Sequence, residues 1–179
     1  MGRNRNGFFL SIASKRTTFG WLFFVLVAVS GRGGNLHILA GLPLIAAGTL
    51  LRVLSAGTIR KNEVLTTSGT YALCRHPLYL GSFLISAGFT VASLHPLLLL
   101  YFLILFPAAY IPAMLSEEDF LQKKFGASYE EYKKRVPLFL PKPAGVGMKD
   151  FSMRQALKNG EHLNVLAVIA VLGILLIKS

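Results

Sequence analysis

The stretch SGTYALCRHPLYLGSF, residues 68–83, concentrates hydrogen-bonding side chains immediately before a long uncharged run. Pro77 favours the first position of a helix, where backbone N–H groups have no partner inside the helix and the helix dipole is positive. Arg75 and His76 precede that proline, so an anion bound beside them would meet two basic side chains and a helix amino terminus. A plainer interpretation is that this pair contacts lipid headgroups at a membrane interface.

Two adjacent carboxylates, Glu117 and Glu118, lie at the other end of the same uncharged run. Acidic residues are common where a solvated helix begins, and this is their ordinary interpretation. A carboxylate at this place is also suited to binding an ammonium group. If the two stretches meet, one end of the site accepts a carboxylate and the other an ammonium, which together describe an amino-acid-like ligand.

The composition of the chain indicates that membrane helices hold these residues in place. Of the 179 residues, 53% are hydrophobic and 15% are charged, and the mean hydropathy is +0.55. These values exclude an ordinary soluble domain and fit one integral membrane domain over residues 1–179. The net charge of +11 comes from basic residues that flank apolar runs, so we expect contacts with membrane lipids and no nucleic-acid binding. The single cysteine, Cys74, excludes an internal disulfide, and we expect no metal site.

Uncharged runs predict an all-α protein with about five transmembrane helices, at residues 17–31, 33–51, 77–93, 96–115 and 163–177. The third and fourth come from about 40 residues without a formal charge, twice the length of one span, which the turn sequence SLHP divides. The second span contains small residues that let membrane helices approach closely, namely Gly41, Ala46, Ala47 and Gly48.

Basic residues cluster before the first span and within the two polar connections, residues 55–81 and 113–160. The positive-inside rule therefore places the amino terminus and both connections in the cytosol, and the carboxyl terminus outside. The candidate site, which both connections build, is thus expected to face the cytosol.

The second connection begins SEEDFLQKKFGASYEEYKKRVPLFLPKP. Phe120, Leu121 and Phe125 predict a short amphipathic helix that Gly126 ends. Ser128 lies three residues before a glutamate, the spacing of a capping box, and this predicts the start of a new helix there.

The two polar stretches together resemble the isoprenylcysteine carboxyl methyltransferase family and the related phospholipid methyltransferases. The shared order is G-x-Y, R-H-P-x-Y-x-G, a helical hairpin, E-E, F-G-x-x-Y-x-x-Y and V-P, over about residues 55–141. R-H-P alone is a weak signal, whereas this ordered set is specific. The resemblance implies an integral membrane enzyme that uses S-adenosylmethionine to methylate a lipophilic acceptor, either an isoprenylcysteine-like carboxylate or another lipid.

The resemblance also implies the site residues. In the family, the cofactor pocket is built from the loop before G-x-Y, the H-P-x-Y stretch and the first glutamate of E-E. Carried onto this chain, the cofactor-binding residues are Glu63, Val64, Leu65, Thr66, Tyr71, His76, Pro77, Leu78, Tyr79 and Glu117. Arg75 and Glu118 are the candidate catalytic residues, and either Glu118 or a tyrosine is the candidate base that an amine acceptor would need.

Three features depart from the family pattern. Glu63 stands where the isoprenylcysteine enzymes usually carry histidine, and Ala113 stands where they carry an arginine implicated in binding the methyl acceptor. An apolar tail follows residue 160. The alternatives are a phospholipid amine N-methyltransferase, a membrane sterol reductase with a nicotinamide cofactor on a related architecture, and a non-catalytic membrane protein. We hypothesise that the acceptor enters from the bilayer between the second, third and fourth spans.

Overall fold

A computed structural model describes residues 16–60, 63–145, 147 and 150–179, and within these ranges the chain is helical, with no strand. The helices are α1 (Arg16–Ser30), α2 (Asn35–Thr58), α3 (Pro77–Ser93), α4 (Pro96–Phe125), α5 (Ala127–Arg135), α6 (Met153–Lys158) and α7 (Glu161–Lys178), with a 3₁₀ turn at Gly69–Ala72. Among these helices, α2, α4 and α7 are long and apolar enough to cross a membrane, and α1 and α3 are apolar but shorter. The chain is therefore an all-α integral membrane protein.

Helices α2 and α3 pack closely through facing glycines. A Cβ atom at Gly41 would lie 2.3 Å from the carbonyl oxygen of Gly88, and one at Gly48 would lie 2.6 Å from the carbonyl oxygen of its facing glycine on α3. Contacts this short leave room only for glycine, as is common where membrane helices approach each other. The prediction for Gly41 and Gly48 is confirmed, whereas Ala46 and Ala47 are exposed and take no part.

The predicted hairpin is present, and α3 has the predicted bounds of 77–93. Leu94 and His95 form the turn, with Leu94 in the left-handed region at a φ of 44°. Helix α4 then widens into a π-helical turn at Tyr101–Leu105, directly before Pro107. A proline has no N–H to donate, and local π geometry is one way a helix adapts to that loss.

Two predicted helix ends are wrong. Helix α2 continues past Leu51 to Thr58, and Arg52, which pairs with Glu161, lies inside it. Helix α4 does not end near residue 115 but runs to Phe125, so the two glutamates lie inside it. The residues from 116 to 125 are mostly good helix formers, and a change from apolar to charged residues does not itself end a helix.

Gly126 ends the helix that contains Phe120 and Phe125, as predicted, but that helix is the last part of α4 and not a separate one. Gly126 has a positive φ of 53°, which glycine adopts without strain. The predicted capping box at Ser128 is wrong, because α5 already begins at Ala127 and its N-cap is Gly126. Ser128 therefore lies inside the first turn of α5.

The apolar core lies where α1, α2, α3 and α7 meet; its buried members include Phe23, Val27, Ile45, Phe89, Val168 and Val171. Helix α7 begins two residues before the predicted 163–177 span, so Glu161 is part of it, and α6 had not been predicted. The basic residues of segment 1–15 and Lys61, on which part of the orientation prediction depends, lie outside the described residues.

Candidate active site

The two polar connections enclose a cavity of about 310 Å³, which we call the first cavity. Nine of the ten predicted cofactor-binding residues line it, namely Val64, Leu65, Thr66, Tyr71, His76, Pro77, Leu78, Tyr79 and Glu117. Glu63 does not line it but lies exposed in a turn, where its backbone N–H donates to the carbonyl oxygen of Arg60 at 3.2 Å. The volume is at the lower end of the range for small-molecule sites.

Arg75 and Glu118 form a bidentate ion pair at the edge of the first cavity. Arg75 Nε donates to Glu118 Oε1 at 2.9 Å and Nη2 donates to Oε2 at 2.7 Å, and both side chains are largely buried. Arg75 Nη1 also donates to the carbonyl oxygen of Val136 at 2.8 Å. Glu118 accepts a further hydrogen bond from the Tyr129 hydroxyl and lies 3.1 Å from His76 Nε2. This network holds α4 against the R-H-P stretch and occupies both oxygens of Glu118.

His76 lies between two carboxylates. Its Nδ1 is 3.7 Å from Glu117 Oε2, its Nε2 faces Glu118, and its ring stacks on that of Tyr79 with centroids 5.5 Å apart. Burial lowers the pKa of His76, but hydrogen bonds to Glu117 and Glu118 and the charges of both carboxylates outweigh burial, so the pKa is raised above 6.5. The Tyr79 hydroxyl donates to Glu117 Oε1 at 2.6 Å. The predicted basic and acidic ends of the site therefore meet.

Tyr71 supplies a polar group that needs a partner. Tyr71 lines the first cavity, and its hydroxyl is buried and has no hydrogen-bond partner among the described residues. A buried hydroxyl left without a partner costs about 1–3 kcal/mol, so a ligand that bonds to it recovers that cost. Burial is also the main cause of the raised pKa of Tyr71, and the charge of Glu117 acts in the same direction. The hydroxyl therefore stays protonated and able to donate.

Backbone hydrogen bonds fix the R-H-P stretch from the side of α5. The Arg75 N–H donates to the carbonyl oxygen of Pro137 at 2.9 Å, and the His76 N–H donates to that of Leu138 at 3.2 Å. The hydroxyl of Tyr132 on α5 donates to the carbonyl oxygen of Tyr71 at 2.7 Å. The V-P segment and α5 thus hold the first polar connection in place.

Several further residues line the first cavity, namely Ile59, Arg60, Phe120, Leu121, Phe125, Tyr129 and Tyr132. Tyr129 and Tyr132 belong to the F-G-x-x-Y-x-x-Y pattern and are both buried on α5, so their spacing of three residues was a usable signal. Phe120 and Leu121 follow Glu117 by about one turn, and their place becomes clear only once α4 is known to continue.

The first cavity can hold an amino-acid-like moiety. Glu117 offers a carboxylate to an ammonium group, and the first turn of α3 at Pro77 and Leu78 offers a positive helix end beside His76. The unpartnered hydroxyl of Tyr71 adds a hydrogen-bond donor, and the side chains from α4 add an apolar lining. Together these groups fit S-adenosylmethionine. Among the described residues, no group of three or more His, Cys, Asp or Glu side chains is placed to hold a metal ion.

Comparison with known proteins gives a consistent picture. The Ergosterol biosynthesis ERG4/ERG24 family matches residues 41–142, a range that contains every predicted site residue. The chain is 38% identical over 122 residues to the protein-S-isoprenylcysteine O-methyltransferase of Xenopus laevis, covering 61% of this chain and 42% of that protein. It is 32% identical over 98 residues to the protein of the same name from Schizosaccharomyces pombe, covering 55% of this chain and 42% of that protein.

A third relative has a different name. The chain is 39% identical over 87 residues to the cobalt-zinc-cadmium resistance protein CzcN of Cupriavidus metallidurans, covering 46% of this chain and 38% of that protein. No solved structure gives a significant match. The chain spans 42% of the length of each of the two methyltransferases, and the predicted resemblance to that family is confirmed. The chain therefore belongs to the ergosterol biosynthesis ERG4/ERG24 family and is homologous to the protein-S-isoprenylcysteine O-methyltransferases over more than half of its own length.

Proposed function

We propose that this chain is an integral membrane methyltransferase that uses S-adenosylmethionine to methylate a lipophilic acceptor, an isoprenylcysteine-like carboxylate or another lipid. One observation carries the proposal: nine residues that the family resemblance assigns to the cofactor line a single cavity. The names of the Xenopus laevis and Schizosaccharomyces pombe relatives support the reaction type. We assign residues 1–179 to one methyltransferase domain, in which the segments 55–81 and 113–141 build the cofactor site.

Different residues of the first cavity would bind different parts of the cofactor. Glu117 would hold the ammonium group, and the start of α3 with His76 would hold the carboxylate. Val64, Leu65 and Thr66 would close the side formed by the first connection, with Glu63 just outside the lining. When bound, S-adenosylmethionine supplies an electrophilic methyl group on a sulfonium. The protein contributes mainly alignment and exclusion of water, because the displacement needs both reactants held in line.

Whether the reaction needs a general base depends on whether the acceptor is a carboxylate or an amine. A carboxylate is already nucleophilic, whereas an amine must first lose a proton. The role of Glu118 as that base stays a prediction, and its surroundings favour a different role. Both of its oxygens accept hydrogen bonds, from Arg75, His76 and Tyr129. We assign Arg75 and Glu118 to positioning the R-H-P stretch.

The proposal is tested by radiolabelled methyl transfer. Purified protein is incubated with total membrane lipid and S-adenosylmethionine that carries tritium on the methyl group, and extracted lipid is then treated with base. A methyl ester would lose the label to base, whereas a methylated amine would keep it, which separates the carboxylate acceptor from the phospholipid amine alternative. Cofactor binding without any labelled lipid would overturn the proposal and favour the non-catalytic alternative.

A nicotinamide-dependent sterol reductase is the second candidate, because the family that matches is described by ergosterol biosynthesis. The two candidates need different cofactors, so separate titrations with S-adenosylhomocysteine and NADPH discriminate between them. We expect binding of S-adenosylhomocysteine alone, since the first cavity pairs an acidic with a basic end. Binding of NADPH alone would replace the methyltransferase by the reductase.

We also propose five membrane crossings, by α1, α2, α3, α4 and α7, with both polar connections in the cytosol. The 15 residues of α1 would span about 22 Å at 1.5 Å per residue, so the bilayer must thin around it. Cys74 is fully buried, which lowers the background for cysteine labelling. An impermeant maleimide should label Ser179→Cys in intact cells but label Lys134→Cys only after permeabilisation, and the reverse pattern would contradict this orientation.

A further inference from the structure

A second cavity of about 330 Å³ adjoins the first. It lies between α1, α2, α3, α4 and α7, and it shares Ile59, Leu78 and Tyr79 with the first cavity. Much of its wall is apolar, including Trp21, Phe24, Ile85 and Leu163. A partly apolar compartment that shares three lining residues with the first cavity has the character of a binding site for the polar head and first chain segment of a lipid.

The polar feature of the second cavity is an ion pair between α2 and α7. Arg52 Nε donates to Glu161 Oε1 at 2.8 Å, and Nη2 donates to Oε2 at 2.9 Å. The exposed fractions are 20% for the Arg52 side chain and 5% for Glu161. Asn164 Nδ2 also donates to Glu161 Oε1, at 3.1 Å. Glu161 is thus held from two sides and fixes one edge of the guanidinium.

The other edge of Arg52 has a donor to spare. Nη1 donates to Ser82 Oγ at 2.6 Å, but its approach to the carbonyl oxygen of Leu78 is 3.5 Å, the outer limit of a hydrogen bond. Ser82 also donates to the same carbonyl oxygen, at 3.1 Å, so that oxygen already has a partner. A ligand oxygen could therefore take the second N–H of Nη1 without leaving a buried group unpaired.

Charge inside a membrane segment marks function more often than stability, because a hydrophobic pair would be cheaper to bury. Ala113, which is fully buried, packs with Tyr79 and Met114 and offers no charge to an acceptor. Among the described residues that line the second cavity, Arg52 is the one cation.

We propose that the second cavity holds the polar head of the acceptor lipid and that Arg52, oriented by Glu161, donates a hydrogen bond to an anionic oxygen of that head. This inference rests on the proposed methyltransferase function. A prenylcysteine carboxylate and a phospholipid phosphate share the required chemistry. The acceptor then approaches the first cavity past Leu78 and Tyr79. The hypothesis from the sequence placed its entry between the second, third and fourth spans, and the wall of the second cavity includes α1 and α7 as well.

Trp21, the single tryptophan of the chain, lines the second cavity and reports its occupancy by fluorescence. Full-length protein in detergent is titrated with N-acetyl-S-farnesylcysteine and with its methyl ester, and in a second arm with phosphatidic acid and diacylglycerol. We expect the anionic member of one pair to bind about 30-fold more tightly than its neutral counterpart, with Arg52→Gln removing that difference. The pair that shows the preference identifies the carboxylate or the phosphate.

Two further variants separate recognition from structure. In the double variant Arg52→Glu with Glu161→Arg, the ion pair between α2 and α7 is kept in reverse, so we expect thermal stability to recover but not the preference for the anion. Arg135→Gln, which breaks an exposed pair with Glu131, is the matched control and should leave the preference unchanged.

The outcomes are distinct. The role of Arg52 would be overturned if the protein showed no preference for the anion within either pair of ligands. A full return of that preference in the double variant with the reversed ion pair would overturn it as well. Affinity for S-adenosylhomocysteine is measured on every variant and should stay within about twofold, since Arg52 does not line the first cavity. Failure of the unaltered protein to bind S-adenosylhomocysteine would instead overturn the proposed function itself.

Discussion

Two arginine–carboxylate pairs have nearly the same geometry and very different origins in the sequence. Arg75–Glu118 and Arg52–Glu161 are both bidentate, with N–O distances between 2.7 and 2.9 Å. The first joins two short motifs that lie 43 residues apart on either side of one hairpin. The second joins the middle of α2 to the start of α7 across 109 residues. A pair within an ordered motif set is visible in the sequence, whereas a pair made by the packing of distant helices is not.

The two pairs also differ in what they hold. Glu118 accepts from three side chains, and Arg75 donates in addition to a backbone carbonyl oxygen of the segment after α5. This makes the first pair the centre of a network. Arg52 keeps a weakly used N–H beside a cavity, so the second pair combines a structural contact with an open donor. We therefore expect the first pair to contribute mainly to stability and the second mainly to recognition.

The largest effect should come from Glu118→Ala. This change leaves Arg75 largely buried without its carboxylate and removes the partner of Tyr129, so we expect a loss of about 3–5 kcal/mol in unfolding free energy. Denaturant unfolding in micelles measures the loss. Glu131→Ala removes an exposed carboxylate, 71% accessible, and serves as the control. A loss no larger than that of the control would contradict the central place of the first pair.

His76→Ala should weaken binding of S-adenosylhomocysteine by at least about 100-fold, since it removes the side chain between Glu117 and Glu118 and its stacking on Tyr79. Titration calorimetry measures the affinity. His162→Ala changes an exposed histidine and should have no effect. Undiminished affinity in His76→Ala would separate the first cavity from the cofactor.

Glu161→Gln tests the second pair in the same terms as the first. We expect a smaller loss of about 2 kcal/mol in unfolding free energy, because Arg52 is more exposed than Arg75 and keeps its bond to Ser82. Denaturant unfolding again gives the value, and affinity for S-adenosylhomocysteine should not change. A loss greater than that of Glu118→Ala would reverse the order proposed for the two pairs.

Tyr79→Phe affects the wall that both cavities share. The change removes the hydrogen bond to Glu117, so we expect affinity for S-adenosylhomocysteine to fall about fivefold, equal to about 1 kcal/mol. Tyr101→Phe is the matched control, because the Tyr101 hydroxyl also donates a hydrogen bond, to the carbonyl oxygen of Phe19, away from the first cavity. Equal effects of the two variants would show that the bond to Glu117 has no special role.

The smallest effect concerns pH. The pKa of His76 is raised in the folded protein, so the stabilisation from its charged form is fully present below about pH 6.5 and is lost as pH rises through the folded pKa. Unfolding free energy of the unaltered protein should therefore fall from pH 6 to pH 9 relative to His76→Gln. Parallel curves for the two proteins would mean that folding does not raise the pKa of His76.

The sequence predicts those parts of the fold that local residue chemistry determines. Pro77 at the start of α3 and the SLHP turn after it give the bounds of that helix, and Gly126 gives the end of α4. The family resemblance that the ordered motifs carry implies nine of the residues around the first cavity. At these helix ends a proline or a glycine constrains the backbone directly, whereas the site residues follow from the family resemblance.

The parts that could not be predicted depend on partners distant in the chain. Arg52 looks like the end of a membrane span until Glu161 is known to neutralise it, and so α2 was expected to stop one turn or more too early. Glu161 in turn looks like an ordinary acidic residue at the start of α7. The second cavity exists only when α1 and α7 close over α2 and α3, and no local pattern describes that closure.

An experimental structure of the protein with S-adenosylhomocysteine would show which of the two cavities binds the cofactor. We predict that the ligand occupies the cavity lined by Tyr71, His76 and Glu117, with its ammonium group on Glu117 and a hydrogen bond from the Tyr71 hydroxyl. Density for the ligand between Arg52 and Glu161, with the first cavity left unchanged, would contradict the division of cofactor and acceptor between the two cavities.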